Sequence, residues 1–185
     1  MKAALIVLVV ATLIYISCRY ATAASGQPQV TTAPKVDLQK YMGKWHEISR
    51  LEHNFQKYCI GSHAEYNLRS DGEVEVINRC IDERDGSTKE AKGRAWSIDP
   101  ASNSRLKVSF FWPFRGDYWI IELGEKYEYS VVGSPDRKYL WILAREPVMD
   151  ETLYITIVER LRKQGFPVDN LVRKPLADIG KNAKT

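Results

Sequence analysis

Eight short runs of strand-forming residues, spaced about ten residues apart, precede one stretch of a different period, and this succession leaves few folds open. The runs cover residues 44–51, 62–68, 73–81, 90–98, 106–111, 118–123, 129–132 and 139–145. Ser70-Asp71-Gly72 supplies a D-G turn of the kind that closes a tight hairpin, and the polar residues 99–104 separate the fourth run from the fifth. In the last segment Leu153, Ile157 and Leu161 recur every four residues, with Glu151, Glu159, Arg160 and Lys163 elsewhere around the wheel. This is an amphipathic helix over 150–164, capped by Asp150 and stopped by Gly165 and Pro167. A single helix cannot supply the crossovers of a parallel sheet, so the fold class is all-β and antiparallel, with the helix laid outside. An open sheet of this size would leave two bare edges. An eight-stranded up-and-down barrel removes both, and its interior can hold one small ligand. A sandwich of the same strands stays open on pattern alone.

The N-terminus is of another kind. Met1-Lys2 leads into an uncharged run, AALIVLVVATLIYISC, which Arg19 stops short of the roughly 20 residues a spanning helix needs. A basic start, a short apolar stretch and small residues beyond it describe an export signal over residues 1–23. Two cleavage readings compete. Ala21-Thr22-Ala23 would release a chain starting at Ala24, whereas Ile16-Ser17-Cys18 resembles a lipobox, in which Cys18 carries lipid. Residues 24–35, rich in Ala, Thr, Ser, Gly, Gln and Pro, have the composition of a flexible tether, which favours an anchored protein. The domain itself is placed at 36–176, with a tail at 177–185.

A net charge of +4, from 27 basic and 23 acidic residues scattered along the 185, argues against nucleic acid as a partner. No nucleophile-elbow or zincin motif occurs, so no catalytic residue is assigned. His53, Cys59 and His63 could be gathered around a metal, but their spacing fits no standard site. Neither metal nor cofactor is expected. Export favours oxidation, and Cys18 is either lipidated or lost, leaving Cys59 and Cys80 as an even pair for a disulfide. Antiparallel pairing brings both to one barrel end. A regular register opposes Cys80 to His63, so the chain before strand two has to curl back by about four residues for the bond to form.

Gly43-Lys44-Trp45 on the first strand, Asp136-Arg137 before the last and Arg145 at its end resemble the three-part lipocalin signature. The stretches GKWHEISRLEHNFQ, LKVSFFWPFRGDYWII and YLWILAREP are most similar to the branch containing bacterial lipocalins, apolipoprotein D and plant temperature-induced lipocalins. The resemblance implies that Trp45 and Arg145 plug the closed end beneath a helical turn at 37–42, and that Tyr66, Phe110, Tyr118 and Trp141 line a pocket. It also implies a small lipophilic ligand, fatty acid or lysophospholipid first among them. An outer-membrane lipoprotein of the bacterial envelope is the expected setting, membrane-bound through Cys18, with a soluble periplasmic or secreted form as the alternative. Oligomeric state is left open.

Alternation places Tyr66, Leu68, Val76, Val108, Phe110, Tyr118, Ile120 and Trp141 on one face, with Glu65, Asn67, Glu75, Arg94 and Lys107 opposite. The first set reads as the wall of a neutral aromatic–aliphatic pocket, or as a filled core in a purely structural envelope protein. Glu122 falls on the inner face and needs a tyrosine hydroxyl or water as partner. Phe111, Trp112 and Phe114 lie in a connecting loop at the open end, as a greasy rim for ligand entry or membrane contact, or folded inward.

Overall fold

A computed structural model describes residues 28–174; Cys18, both cleavage sites and the tail lie outside these residues. The chain runs α1 (Leu38–Tyr41), β1 (Gly43–Leu51), β2 (Cys59–Leu68), β3 (Val74–Asp82), β4 (Thr88–Ser97), β5 (Arg105–Phe111), β6 (Phe114–Leu123), β7 (Tyr129–Gly133), β8 (Leu140–Ala144), α2 (Glu151–Lys163) and β9 (Leu171–Val172). Strands two to eight pair in sequence order, β8 pairs with β1, and β1 pairs with β2, so the sheet closes. The sandwich alternative falls with that closure. Where the chain must reverse between β2 and β3, Gly72 takes φ +83°, and Asp71 accepts from the Glu73 amide at 3.1 Å.

Alternation divides the apolar residues between two cores. Trp45, Val76, Ala95, Leu106, Ile120 and Val132 belong to the cluster inside the barrel. Ile48, Leu51, Ile121, Val131 and Ile142 form the outer cluster, with Ile157 and Leu161 of α2 laid on it. The Asp150 carboxylate caps α2 by accepting from the Leu153 amide at 2.9 Å, and Arg160, Arg162 and Lys163 occupy its last turn, where cations oppose the helix dipole.

The closed end is plugged as the signature implies. The Arg145 guanidinium lies 3.8 Å above the Trp45 ring, and the Trp45 Nε1 donates to the Tyr41 carbonyl at 2.8 Å. Arg145 also donates to the carbonyls of Lys40 and Lys44 at 2.8 and 2.9 Å, tying α1 to β1. Gly43 has φ +93°, a conformation costly for a residue with a Cβ, which explains the glycine two places before Trp45.

Two readings need correction. Glu122 is not on the inner face. Ile120 pairs with Val132 but Glu122 with Val131, so a bulge at Ile121 turns Glu122 outward. There its carboxylate accepts from the Tyr129 hydroxyl at 2.6 Å and pairs with Arg160 of α2. Residues 28–35 are not a free tether. Val30 is buried in the outer cluster and Ala33 with the inner one, the Ala33 amide donates to the Ile120 carbonyl at 2.9 Å, and the Thr31 amide donates to Gln164 at 3.0 Å. Val30, Ala33 and Val36 are the apolar residues that hold this segment down, at a spacing its polar composition masks.

β1 has a third neighbour that was not anticipated. Its start pairs with β2, but Arg50 and Leu51 pair with Val172 and Leu171 of β9. The Gly61 amide donates to the Lys174 carbonyl at 2.9 Å, and the Lys174 ammonium donates to the Lys57 carbonyl at 3.0 Å. The C-terminal segment therefore fills the gap where β1 and β2 part near the open end.

Candidate ligand-binding site

The floor of the barrel is built from tyrosines. The Tyr118 hydroxyl donates to that of Tyr66 at 2.8 Å, and the Tyr41 hydroxyl meets Tyr118 at 2.9 Å and Ser130 at 3.0 Å. Each hydroxyl has one proton. Since Tyr118 spends its own on Tyr66, Tyr41 must donate to Tyr118 and Ser130 to Tyr41, which fixes the direction of the whole chain. Burial pushes the Tyr41 hydroxyl up to about 12 and those of Tyr66 and Tyr118 above the usual phenol range. All three stay neutral donors near neutral pH. The packed floor leaves a void of only about 10 Å³ among Leu38, Met42, Tyr66, Leu106 and Tyr118, room for one water at most.

This floor separates the expected wall residues into levels. Tyr66, Val76 and Ile120 are almost fully buried in it. Leu68 pairs with Val74 at the closed-end edge of β2. Tyr118, at the top of the floor, and Val108 above it are partly exposed, and Phe110 is 41% exposed towards the open end. Phe110 lies against Gly93, where a Cβ would sit 2.7 Å from its ring, so only glycine lets that ring reach the wall. The pairing of β4 with β5 stops at Arg94 opposite Ser109, whereas β3 and β4 stay paired up to Ile81 opposite Thr88. The wall thus opens into a slot between upper β4 and the tip of the β5–β6 hairpin. At that tip Phe111, Trp112 and Phe114 are each more than 70% exposed, so they do not fold inward.

Across the mouth lies the segment after β1, with one tight helical turn at Asn54–Gln56. His53 stacks on Phe55 at 3.8 Å and lies 5.1 Å from the Trp141 ring, and neither of its buried ring nitrogens has a partner among the described residues. Burial first, then the Arg50 charge, lowers His53 to about 4, so it serves here as a neutral ring. Trp141 donates from Nε1 to the Gln56 Oε1 at 3.0 Å.

The wall is not neutral throughout, contrary to expectation. Glu47 opposes Leu143 and Arg50 opposes Trp141, both partners packed with the inner cluster. Alternation would send positions 47 and 50 to opposite faces; a bulge between Glu47 and Ser49 sends both inward. Arg50 is completely buried, pairs with Glu47, and donates to the Gln56 carbonyl at 2.8 Å. The Gln56 amide donates to Glu47 at 3.0 Å. Burial raises the Glu47 carboxyl above its usual range, with Arg50 opposing. The charged pair thus staples the mouth segment to β1. Glu47 could have been found from its place two residues after Trp45; Arg50 carried no such signal.

Cys59 and Cys80 are joined, with Cα atoms 5.4 Å apart. The chain does not curl back to make the bond. β2 begins at Cys59 itself, opposite Asp82, and a bulge between Ile60 and His63 absorbs the register shift. With Cys59 so consumed, the three-residue metal grouping is dissolved, and among the described residues no cluster of metal-ligating side chains remains. Replacing both cysteines by serine removes a cross-link across 21 residues and should lower stability by about 3 kcal/mol. Urea unfolding of the variant beside the oxidised parent measures it; overlapping midpoints would contradict the expectation.

The chain is thus a closed antiparallel barrel, plugged at one end by Trp45 and Arg145 and open at the other. The lipocalin-like domain family matches residues 36–176, and the chain belongs to that family. It is 38% identical to the outer membrane lipoprotein Blc of Vibrio cholerae over 149 residues, covering 80% of this chain and 87% of that one. Temperature-induced lipocalin-1 of Arabidopsis thaliana is 32% identical, with 81% and 84% covered. Among solved structures, insecticyanin from the tobacco hornworm superposes with a TM-score of 0.65 at 18% identity, covering 80% of this chain and 85% of that one.

Proposed function

We propose that the chain holds a single-chain amphiphile, a fatty acid or lysophospholipid, in the open half of its barrel. We also read it as an exported lipoprotein, anchored through Cys18 at the outer membrane, that stores or carries this ligand. The observation carrying the proposal is the contrast between a filled floor topped by Tyr118 and a partly exposed apolar wall of Val108, Phe110 and Trp141 above it. Membership of the lipocalin family supports binding rather than catalysis, and the Blc relatives support the envelope setting. An acyl chain gains about 0.8 kcal/mol for each CH₂ removed from water, less the cost of ordering it, so micromolar affinity is expected. The test is tryptophan fluorescence of the protein titrated with oleate, lysophosphatidylethanolamine and retinol. Saturable quenching by an acyl ligand, weakened about tenfold in Trp141→Ala, is the expected outcome. No saturable response to any of the three would favour a structural protein with an unused barrel.

A further inference from the structure

The path of the N-terminal segment determines which end of the barrel an anchor would hold. Val36 donates from its amide to the Ser102 carbonyl at 2.7 Å, in the β4–β5 loop at the closed end. From there the chain passes Ala33 beside Ile120, packed with the inner cluster, and then runs along the outside with Val30 in the outer cluster and Thr31 beside Gln164 of the helix end. Pro28 accepts from Arg137, which lies in the β7–β8 loop at the open end. The described chain therefore begins level with the mouth, and only residues 19–27 separate it from Cys18.

Length decides what those residues can do. Nine residues reach at most about 30 Å. The nine residues of β1 rise about 30 Å along the strand, or 20–25 Å along the barrel axis once strand tilt is allowed for. A linker leaving at the mouth would have to run largely extended down the barrel to bring the closed end to a bilayer, whereas the mouth lies beside its exit. The surface agrees. Among the described residues ten large apolar side chains are exposed, and Phe55, Tyr58, Phe111, Trp112, Phe114 and Tyr139 all belong to open-end segments. The hairpin tip adds Arg115, whose guanidinium lies 5.9 Å from the Trp112 ring, a pairing suited to the level of phospholipid headgroups.

The geometry points to a barrel hung mouth-first on its own anchoring bilayer, with the β5–β6 tip in the phospholipid interface and the lateral slot facing the lipid. This rests on the lipidation of Cys18 proposed above. An amphiphile could then pass between leaflet and barrel without crossing water.

The experiment uses the full lipidated chain in vesicles of phosphatidylethanolamine and phosphatidylglycerol. An environment-sensitive dye is attached at Arg115→Cys beside the tip or at Glu125→Cys in the β6–β7 turn at the closed end, with nitroxide-labelled lipid as quencher. Quenching at 115 several-fold stronger than at 125 is expected, and serine at positions 111, 112 and 114 together should abolish the difference. Equal quenching, or stronger quenching at 125, overturns the orientation while leaving the anchor intact. Mass spectrometry of the same sample separates the two ideas. A mature chain starting at Ala24 removes the anchor, and the orientation with it.

Discussion

Arg50→Ala is expected to cost about 3–5 kcal/mol of stability, a large part of what a domain of this size has. The guanidinium is wholly buried between Glu47 and the Gln56 carbonyl, so its removal strands a carboxylate inside the barrel and frees the mouth segment. The loss should depend on pH. The Glu47 carboxyl is already held above its usual range by burial, with Arg50 opposing; without Arg50 it rises further. A group whose folded pKa is raised contributes stability that is fully present below its unfolded value, about 4.3 for Glu, and lost as pH rises through the folded value. The deficit of Arg50→Ala should therefore be smaller near pH 4.5, where the lost packing and carbonyl bonds remain, and full at pH 8. Denaturant midpoints at the two pH values check this, and Glu47→Gln added to Arg50→Ala should flatten the dependence. A deficit equal at both would show that no stranded charge is involved.

Trp45→Ala should have an effect of similar size, about 3–5 kcal/mol, through a different cause. The indole is completely buried, fills the space between α1 and the tyrosine floor, and donates to the Tyr41 carbonyl. Its loss also leaves Arg145 without the ring beneath it. The charge–ring contact itself is the smaller share, about 0.5–2 kcal/mol. A double-mutant cycle with Arg145→Ala isolates it, and a coupling near zero would mean that the arginine works only through its carbonyl bonds. Thermal unfolding of Trp45→Ala and Trp45→Phe separates cavity from contact, since phenylalanine restores most of the volume and none of the hydrogen bond.

Strands, hairpin turns and the helix were legible because each shows in local periodicity. Leu153, Ile157 and Leu161 announce α2, and the glycine and tryptophan of Gly43-Lys44-Trp45 mark the plugged end. The bulges were not legible. An extra residue reverses the parity of a strand without altering its composition, so Glu122 was assigned inward and Arg50 received no place in the wall. Both are charged residues whose partners come from elsewhere in the chain, Arg160 for one and Gln56 for the other. The N-terminal segment escapes composition for a related reason: Val30 packs on the outer cluster while Ala33 and Val36 pack with the inner one, and composition alone shows neither. β9, two residues long, gives no periodicity at all.

The filling of the β1–β2 gap by residues 171–174 bears on how such a chain is made. β9 follows β1 by 120 residues, from Leu51 to Leu171. Until β9 docks, the upper edge of β1 has no neighbour on its β2 side, and the pairing that seals it has one of the longest sequence separations in the fold, the kind that forms slowly. A bare strand edge invites another chain. The vulnerable period of this protein thus falls before β9 has docked and not in its finished state, and whatever escorts the unfolded chain has the upper edge of β1 among those to shield.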